Sequence, residues 1–193
     1  MSTKNLLAEI QKTLELHASP EAAAAHNKFI PGSAAGKIYG VRTPVLNELV
    51  KQYKTGGFEL AEALWTAGAL EEKILAGKLL GLVAKKDPAR TLKLVTAFSK
   101  SITDWAVCDT LGMQSLKPIV KTHQEEIFAL AGKLNNSKDP WQRRLSLVLV
   151  EWYTRMPELH PQINKLIEAL ENDPEYYVKK AVVWIRKNFK KGK

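Results

Sequence analysis

Five places in this chain put a helix-capping residue directly before a proline: Ser19-Pro20, Thr43-Pro44, Asp87-Pro88, Asp139-Pro140 and Asp173-Pro174. A Ser, Thr or Asp side chain accepts hydrogen bonds from the free N–H groups of a first helical turn, and proline is tolerated there because its missing N–H would have had no partner. Thr122 with Glu125 reads as a further start of capping-box form. Behind these starts the apolar residues recur every three or four positions. Val45, Leu49, Val50 and Tyr53 form one stripe, and Ile127, Leu130, Ala131 and Leu134 another. Ile163, Leu166, Ile167 and Leu170 repeat the pattern, as do Val178, Ala181, Val182, Ile185 and Phe189. Gly56-Gly57 is expected to break a helix, and Ala35 to Arg42 reads as a loop. Only Leu145 to Val150 is β-like in composition, and it lies inside a helical run from Trp141 to Tyr153. The expected fold class is all-α.

The helices also show a period. Trp105, Trp141 and Tyr177 stand 36 residues apart, each just behind a capping signal: Thr103-Asp104, Asp139-Pro140 and Asp173-Pro174. A repeat of about this length holds two antiparallel helices, as in HEAT-like or TPR-like arrays. The expectation is a right-handed solenoid of helix pairs whose concave side forms an extended, basic binding groove. No linker or composition shift divides the chain, so residues 1–193 read as a single domain.

Charge points to the partner. Twenty-nine Lys plus Arg stand against 20 Asp plus Glu, a net +9. Such an excess favours a polyanion, most commonly a nucleic-acid backbone, although surplus Lys can also serve solubility alone. Cys108 is the only cysteine, which excludes an internal disulfide and a Cys-based zinc cluster. Without a membrane-length apolar run or a signal-peptide core, a cytoplasmic location with no membrane partner is expected. His17, His26, His123 and His160 are dispersed without metal-ligand spacing, so no metal is expected. Gly32 to Gly36 carries no phosphate-binding fingerprint, and no cofactor is expected. Glu71-Glu72-Lys73 reads as a solvated helix face, and Cys108 as a small buried hydrophobe.

Three groups could carry chemistry. In the last helix, at about 100° per residue, Trp184 falls about 120° from the stripe headed by Val178, among Tyr177, Lys180, Lys187 and Lys191. An indole bordered by ammonium groups suits a sugar-phosphate chain, and equally suits packing against another helix. Trp105 and Asp109, four apart, project from one helix face. A carboxylate beneath an indole in a basic protein suits a cationic centre, such as the deoxyribose during N-glycosidic cleavage; a surface salt bridge or a cap is the commoner use of a lone Asp. Finally, Trp141 joins Leu145, Val148 and Trp152 in a core stripe, and Arg144 lies at its margin, placed to grip a phosphate bidentately. Arg143 points elsewhere, toward solvent.

These residues resemble a known family, the DNA alkylation repair enzymes of HEAT-like repeats, or AlkD-like DNA glycosylases. The resemblance runs from about His26 to Phe189. It rests on Tyr39-Gly-Val-Arg-Thr-Pro44, Asp104-Trp105-Ala-Val-Cys-Asp109, Trp141-Gln-Arg-Arg144 and Tyr177-Val-Lys-Lys-Ala-Val-Val-Trp184, taken as an ordered set. It implies a monofunctional, cofactor-independent glycosylase that excises N3- or N7-alkylated purines from double-stranded DNA without base flipping, and a monomer is expected. By resemblance, Trp105 and Trp184 pack on the backbone around the lesion, Asp109 lies beside the deoxyribose and helps place water, and Arg144 contacts phosphate. Lys180, Lys187 and Tyr177 are the further expected DNA contacts. Family members commonly continue into another basic repeat, which Lys187, Lys190, Lys191 and Lys193 are expected to replace in part. Two alternatives stand beside this reading: a non-catalytic module that binds DNA or RNA structure, and a protein-interaction scaffold.

Overall fold

The computed structural model describes residues 2–28 and 36–191, with side chains described through Phe189. Helices α1 (Thr3–Leu16), α2 (Pro20–Asn27), α3 (Thr43–Gln52) and α4 (Gly57–Ala67) are followed by α5 (Leu70–Val83), α6 (Pro88–Phe98) and α7 (Trp105–Met113). The chain continues through α8 (Gln124–Asn135), α9 (Pro140–Val150), α10 (His160–Ala169) and α11 (Tyr176–Lys191). Among the described residues there is no strand.

Three of the capping signals act as expected. Ser19, Asp87 and Asp139 accept from Ala22, Arg90 and Trp141 N–H at the starts of α2, α6 and α9. Two are offset: α3 begins at Thr43 itself with Arg42 in the cap position, and α11 begins beyond Asp173-Pro174, at Tyr176. The Thr122–Glu125 start is corrected. His123 holds the cap position of α8 without a side-chain bond, because the Thr122 hydroxyl turns back to donate to the Ile119 carbonyl at 3.3 Å. The run from Trp141 also tightens after Val150 into a 3-10 stretch, Glu151–Arg155.

Helices α5, α7, α9 and α11 lie side by side in that order. They begin at Leu70, Trp105, Pro140 and Tyr176, that is 35, 35 and 36 residues apart. Behind them α4 packs on α5, α8 packs on α9, and α10 sits against both α8 and α9. At the N-terminal end α1 packs on α4 and α3 on α5. This is a helical-repeat arrangement, as the period predicts. The core is continuous: Leu75, Leu79 and Leu80 of α5, Leu111 of α7, Leu145 and Leu147 of α9, and Val178, Ala181 and Ile185 of α11 are all buried. Gly81 lets α5 come close to α7, since a Cβ there would collide with the Gln114 carbonyl oxygen.

The reading of Glu71-Glu72 as a solvated face is overturned, for both side chains are only 2% exposed. Glu71 accepts the N–H groups of Tyr39 (3.0 Å), Gly40 (2.7 Å) and Val41 (3.0 Å). Glu72 accepts Ala69 N–H at 2.7 Å and the Gln11 side-chain amide at 2.8 Å. The loop entering α3 has no ladder of its own, so a carboxylate from α5 supplies its acceptors. Gly40 sits there with φ +76° against the Ser19 carbonyl, a position closed to any side chain. Arg143 is likewise no solvated group: its guanidinium pairs with Asp173, Nε to Oδ2 at 2.5 Å.

Replacing Glu71 with Ala leaves three N–H groups without their acceptor and should cost roughly 3 kcal/mol, at about 1 kcal/mol or more for each orphaned donor. Glu71→Gln, which keeps an acceptor oxygen, should cost less. Urea unfolding of the two variants checks both expectations.

Candidate functional site

The site is built on α7. Asp104 caps this helix by accepting Ala106 N–H at 2.6 Å, and it is itself buried. Val107, Cys108 and Leu111 face the core, which turns Trp105, Ala106, Asp109 and Met113 to the other side. There a cleft of about 1140 Å³ runs along α3, α5, α7 and the end of α9. Its walls carry Lys51, Lys78, Lys117 and Arg155 against Asp109 and Glu151. Trp105 is 37% exposed at its rim.

Asp109 does not stand alone. Arg144 Nη2 donates to both carboxylate oxygens, at 2.8 and 3.0 Å, and Arg144 Nε donates to Oδ1 at 3.2 Å. The remaining arm, Nη1, donates to the Tyr177 carbonyl at 2.8 Å. Arg144 is 6% exposed, so the sequence expectation of a free guanidinium gripping phosphate meets a different arrangement: its donors are turned inward on Asp109 and α11. The reason is register. Asp109 and Arg144 are each the fifth residue of their helix, α7 and α9, and these helices lie side by side.

A carboxylate offers about four lone-pair positions, of which Arg144 takes three, leaving room for about one more donor, such as a water. The Asp109 side chain is still 27% exposed, toward the cleft it lines. Burial raises its pKa above the ordinary aspartate value, with Arg144 opposing the rise and Asp104 adding to it. The neighbouring Cys108 thiol is fully buried and driven far up by desolvation, which makes it an inert packing group, as expected.

The other expected residues are distributed along α11. Tyr177 stacks on Trp141 with centroids 5.1 Å apart, tying the first turns of α9 and α11. Burial and the Asp104 charge raise its hydroxyl pKa. Trp184 is half-buried against the core, and Lys187 is exposed. Lys180 is exposed too, its ammonium 4.8 Å from the Tyr176 ring centroid. The structure thus brings Trp105, Asp109, Arg144 and the Tyr177 backbone together. Among the described residues the ion-pair partner of Asp109 is Arg144, not Lys180 or Lys187. The side chains of Lys190, Lys191 and Lys193 lie outside the described residues, as does the stretch from Phe29 to Ala35.

Sequence reasoning missed two groups. Lys78, half-buried in the cleft, donates to Asn47 Oδ1 at 2.9 Å and Gln114 Oε1 at 3.0 Å, and burial lowers its pKa. His26 reaches Asp104 across 78 residues of sequence, with Nε2 2.7 Å from Oδ2. Nothing local signals either contact. The repeat period would have found the Asp109–Arg144 pair, had it been carried from the aromatic positions to the fifth position of each helix.

The described residues hold no group of three or more His, Cys, Asp or Glu able to take a metal ion, and no helix among them is long and apolar enough to cross a membrane. What the arrangement can do is present one oriented carboxylate, braced from behind, to a positive centre entering the cleft beside an exposed indole.

Comparison with curated proteins finds no match. The model of one protein family, described as DNA alkylation repair enzyme, matches residues 10–191. That span takes in the helices of the cleft, the Asp109–Arg144 pair and nearly all of the rest of the chain, and the chain belongs to the DNA alkylation repair enzyme family.

Proposed function

We propose that the protein is a DNA glycosylase that hydrolyses the N-glycosidic bond of cationic N3- or N7-alkylated purines in duplex DNA. The observation that carries this reading is the Asp109 carboxylate, held by Arg144 and lining a cleft one helical turn from the exposed Trp105. A DNA alkylation repair role supports it from the family side.

The chemistry needs few groups. An N3- or N7-alkylpurine already bears positive charge and leaves as a neutral base, so no general acid has to protonate it. Positive charge instead develops on the deoxyribose. A carboxylate about 4 Å from a unit charge contributes up to about 4 kcal/mol at an effective dielectric of 20. Arg144 offsets part of this, and only the share that grows in the transition state accelerates the reaction. Asp109 Oδ2, which accepts one donor from Arg144 where Oδ1 accepts two, has room to orient the attacking water. Arg144 is assigned a positioning role, fixing the carboxylate in place of the phosphate grip that resemblance suggests. Trp105 and Trp184 are assigned to packing on the backbone beside the lesion, with the base remaining in the helix. Tyr177, Lys180 and Lys187 of α11 are assigned to the DNA backbone.

One observation favours a second reading, a non-catalytic module that binds nucleic-acid structure: Arg144 by itself already accounts for Asp109 as a structural ion pair. Release of base separates the two.

The purified protein should liberate 3-methyladenine and 7-methylguanine from methylated duplex DNA and leave uracil-containing duplex almost untouched. Asp109→Asn should lower the single-turnover rate by about 10- to 100-fold, equivalent to roughly 1.4–2.7 kcal/mol, while keeping DNA affinity. Unchanged base release by Asp109→Asn removes the carboxylate from the mechanism, and DNA binding with no release by the wild type selects the second reading.

The raised Asp109 pKa has a kinetic sign. The carboxylate is lost as pH falls through that pKa, so base release, corrected for spontaneous depurination, should decline on the acid side at a pH above that of an ordinary aspartate. Asp109→Asn should flatten this limb, which a rate–pH profile of the two proteins would show.

Lys180→Ala and Lys187→Ala should each reduce the slope of log affinity against log salt by about 1, one phosphate contact apiece. A slope equal to wild type in binding titrations would remove that lysine from the interface.

A further inference from the structure

We infer that His26 is a positioning residue for Trp105, which brings α2 into the site. The inference rests on the reading of Trp105 and Asp109 given above. His26 lies near the end of α2 with its side chain 22% exposed, and it makes two contacts with the start of α7. Its Nε2 stands 2.7 Å from Asp104 Oδ2. Its ring lies over the Trp105 indole, with centroids 6.0 Å apart and planes inclined by 25°.

Asp104 works in two directions at once. Oδ1 accepts the Ala106 N–H at 2.6 Å and caps α7, while Oδ2 holds the imidazole. The residue between Asp104 and Ala106 is Trp105. The carboxylate therefore anchors the backbone on both sides of the indole, and the imidazole it holds supports the indole's face. Without that plate, Trp105 would be a first-turn side chain at the cleft rim with no ring contact among the described residues. Such an indole samples more than one rotamer, and ordering it on ligand binding carries an entropic cost. His26 removes that freedom beforehand. It acts on the reaction through the angle of the indole and does not touch the reacting atoms.

The test uses the whole chain and compares His26→Ala, His26→Phe and Trp105→Phe with double variants that place each His26 substitution in the Trp105→Phe background. The first readout needs no DNA. Subtracting the emission of each Trp105→Phe protein from its parent isolates the Trp105 fluorescence, whose quenching by acrylamide should rise in His26→Ala and stay near wild type in His26→Phe, which keeps a ring. The second readout is single-turnover release of 7-methylguanine. His26→Ala should slow it by about tenfold, a part of the roughly hundredfold that a misplacement of about 1 Å can cost. DNA affinity should fall by only about two- to threefold, the low end of the cost of ordering one side chain, and the loss of rate should vanish in the Trp105→Phe background, because groups acting through one another are not additive. His26→Gln, which keeps a donor for Asp104 and lacks the ring, carries the same expectation should His26→Ala not fold. Unchanged quenching in the variants lacking a ring, or an equal further loss of rate in the Trp105→Phe background, would overturn the inference. If even the wild type releases no base, the glycosylase reading fails, and the quenching readout alone decides the role of His26.

Discussion

Helices that start 35 or 36 residues apart and pack side by side present the same numbered position to their neighbours, and this constraint shapes everything at the cleft. The fifth residues of α5, α7, α9 and α11 are Ile74, Asp109, Arg144 and Lys180. In the middle of that row an acid meets a base. The ion pair is thus not an ornament on a finished fold. It is the polar rung of a ladder whose other rungs are apolar, with Leu75, Cys108, Leu111, Leu145 and Val148 filling the neighbouring levels.

A partly buried pair of this kind is a costly way to hold two helices together, since desolvating both charges offsets much of their attraction. Its value lies in orientation. Arg144 is nearly closed to solvent while Asp109 keeps a face on the cleft, so the guanidinium serves as backing and the carboxylate as the working surface. Even so, burial outweighs the neighbouring positive charge in raising the Asp109 pKa. A second acid, Asp104, is committed to capping α7 and to His26, and the two carboxylates of one short helix therefore have separate tasks.

Much of the fold is legible in the sequence because helix starts and apolar stripes are local signals. Ser19, Asp87 and Asp139 cap as their neighbours suggest, and the stripe from Val178 to Ile185 is buried as its spacing suggests. What stayed hidden is what depends on distant partners. Glu71 looks like any charged helix residue until the loop at Tyr39–Val41 is folded onto it, and Arg143 looks solvated until Asp173 is brought up. Within the site, the helix face shared by Trp105 and Asp109 follows from a four-residue spacing. The destination of Arg144 does not, because an arginine at a stripe margin can turn outward to a ligand or inward to a neighbour, and the choice is made by the helix beside it.

The third partner of Arg144 is a main-chain oxygen, that of Tyr177. Exchange of the side chain at 177 removes the ring that lies 5.9 Å from the guanidinium but leaves that acceptor in place, so this hydrogen bond answers to the path of the chain. A tilt of the first turn of α11 would move this oxygen against the guanidinium, and with the guanidinium the Asp109 carboxylate that it holds. The last helix is in this sense the tuning peg of a charge that another helix displays.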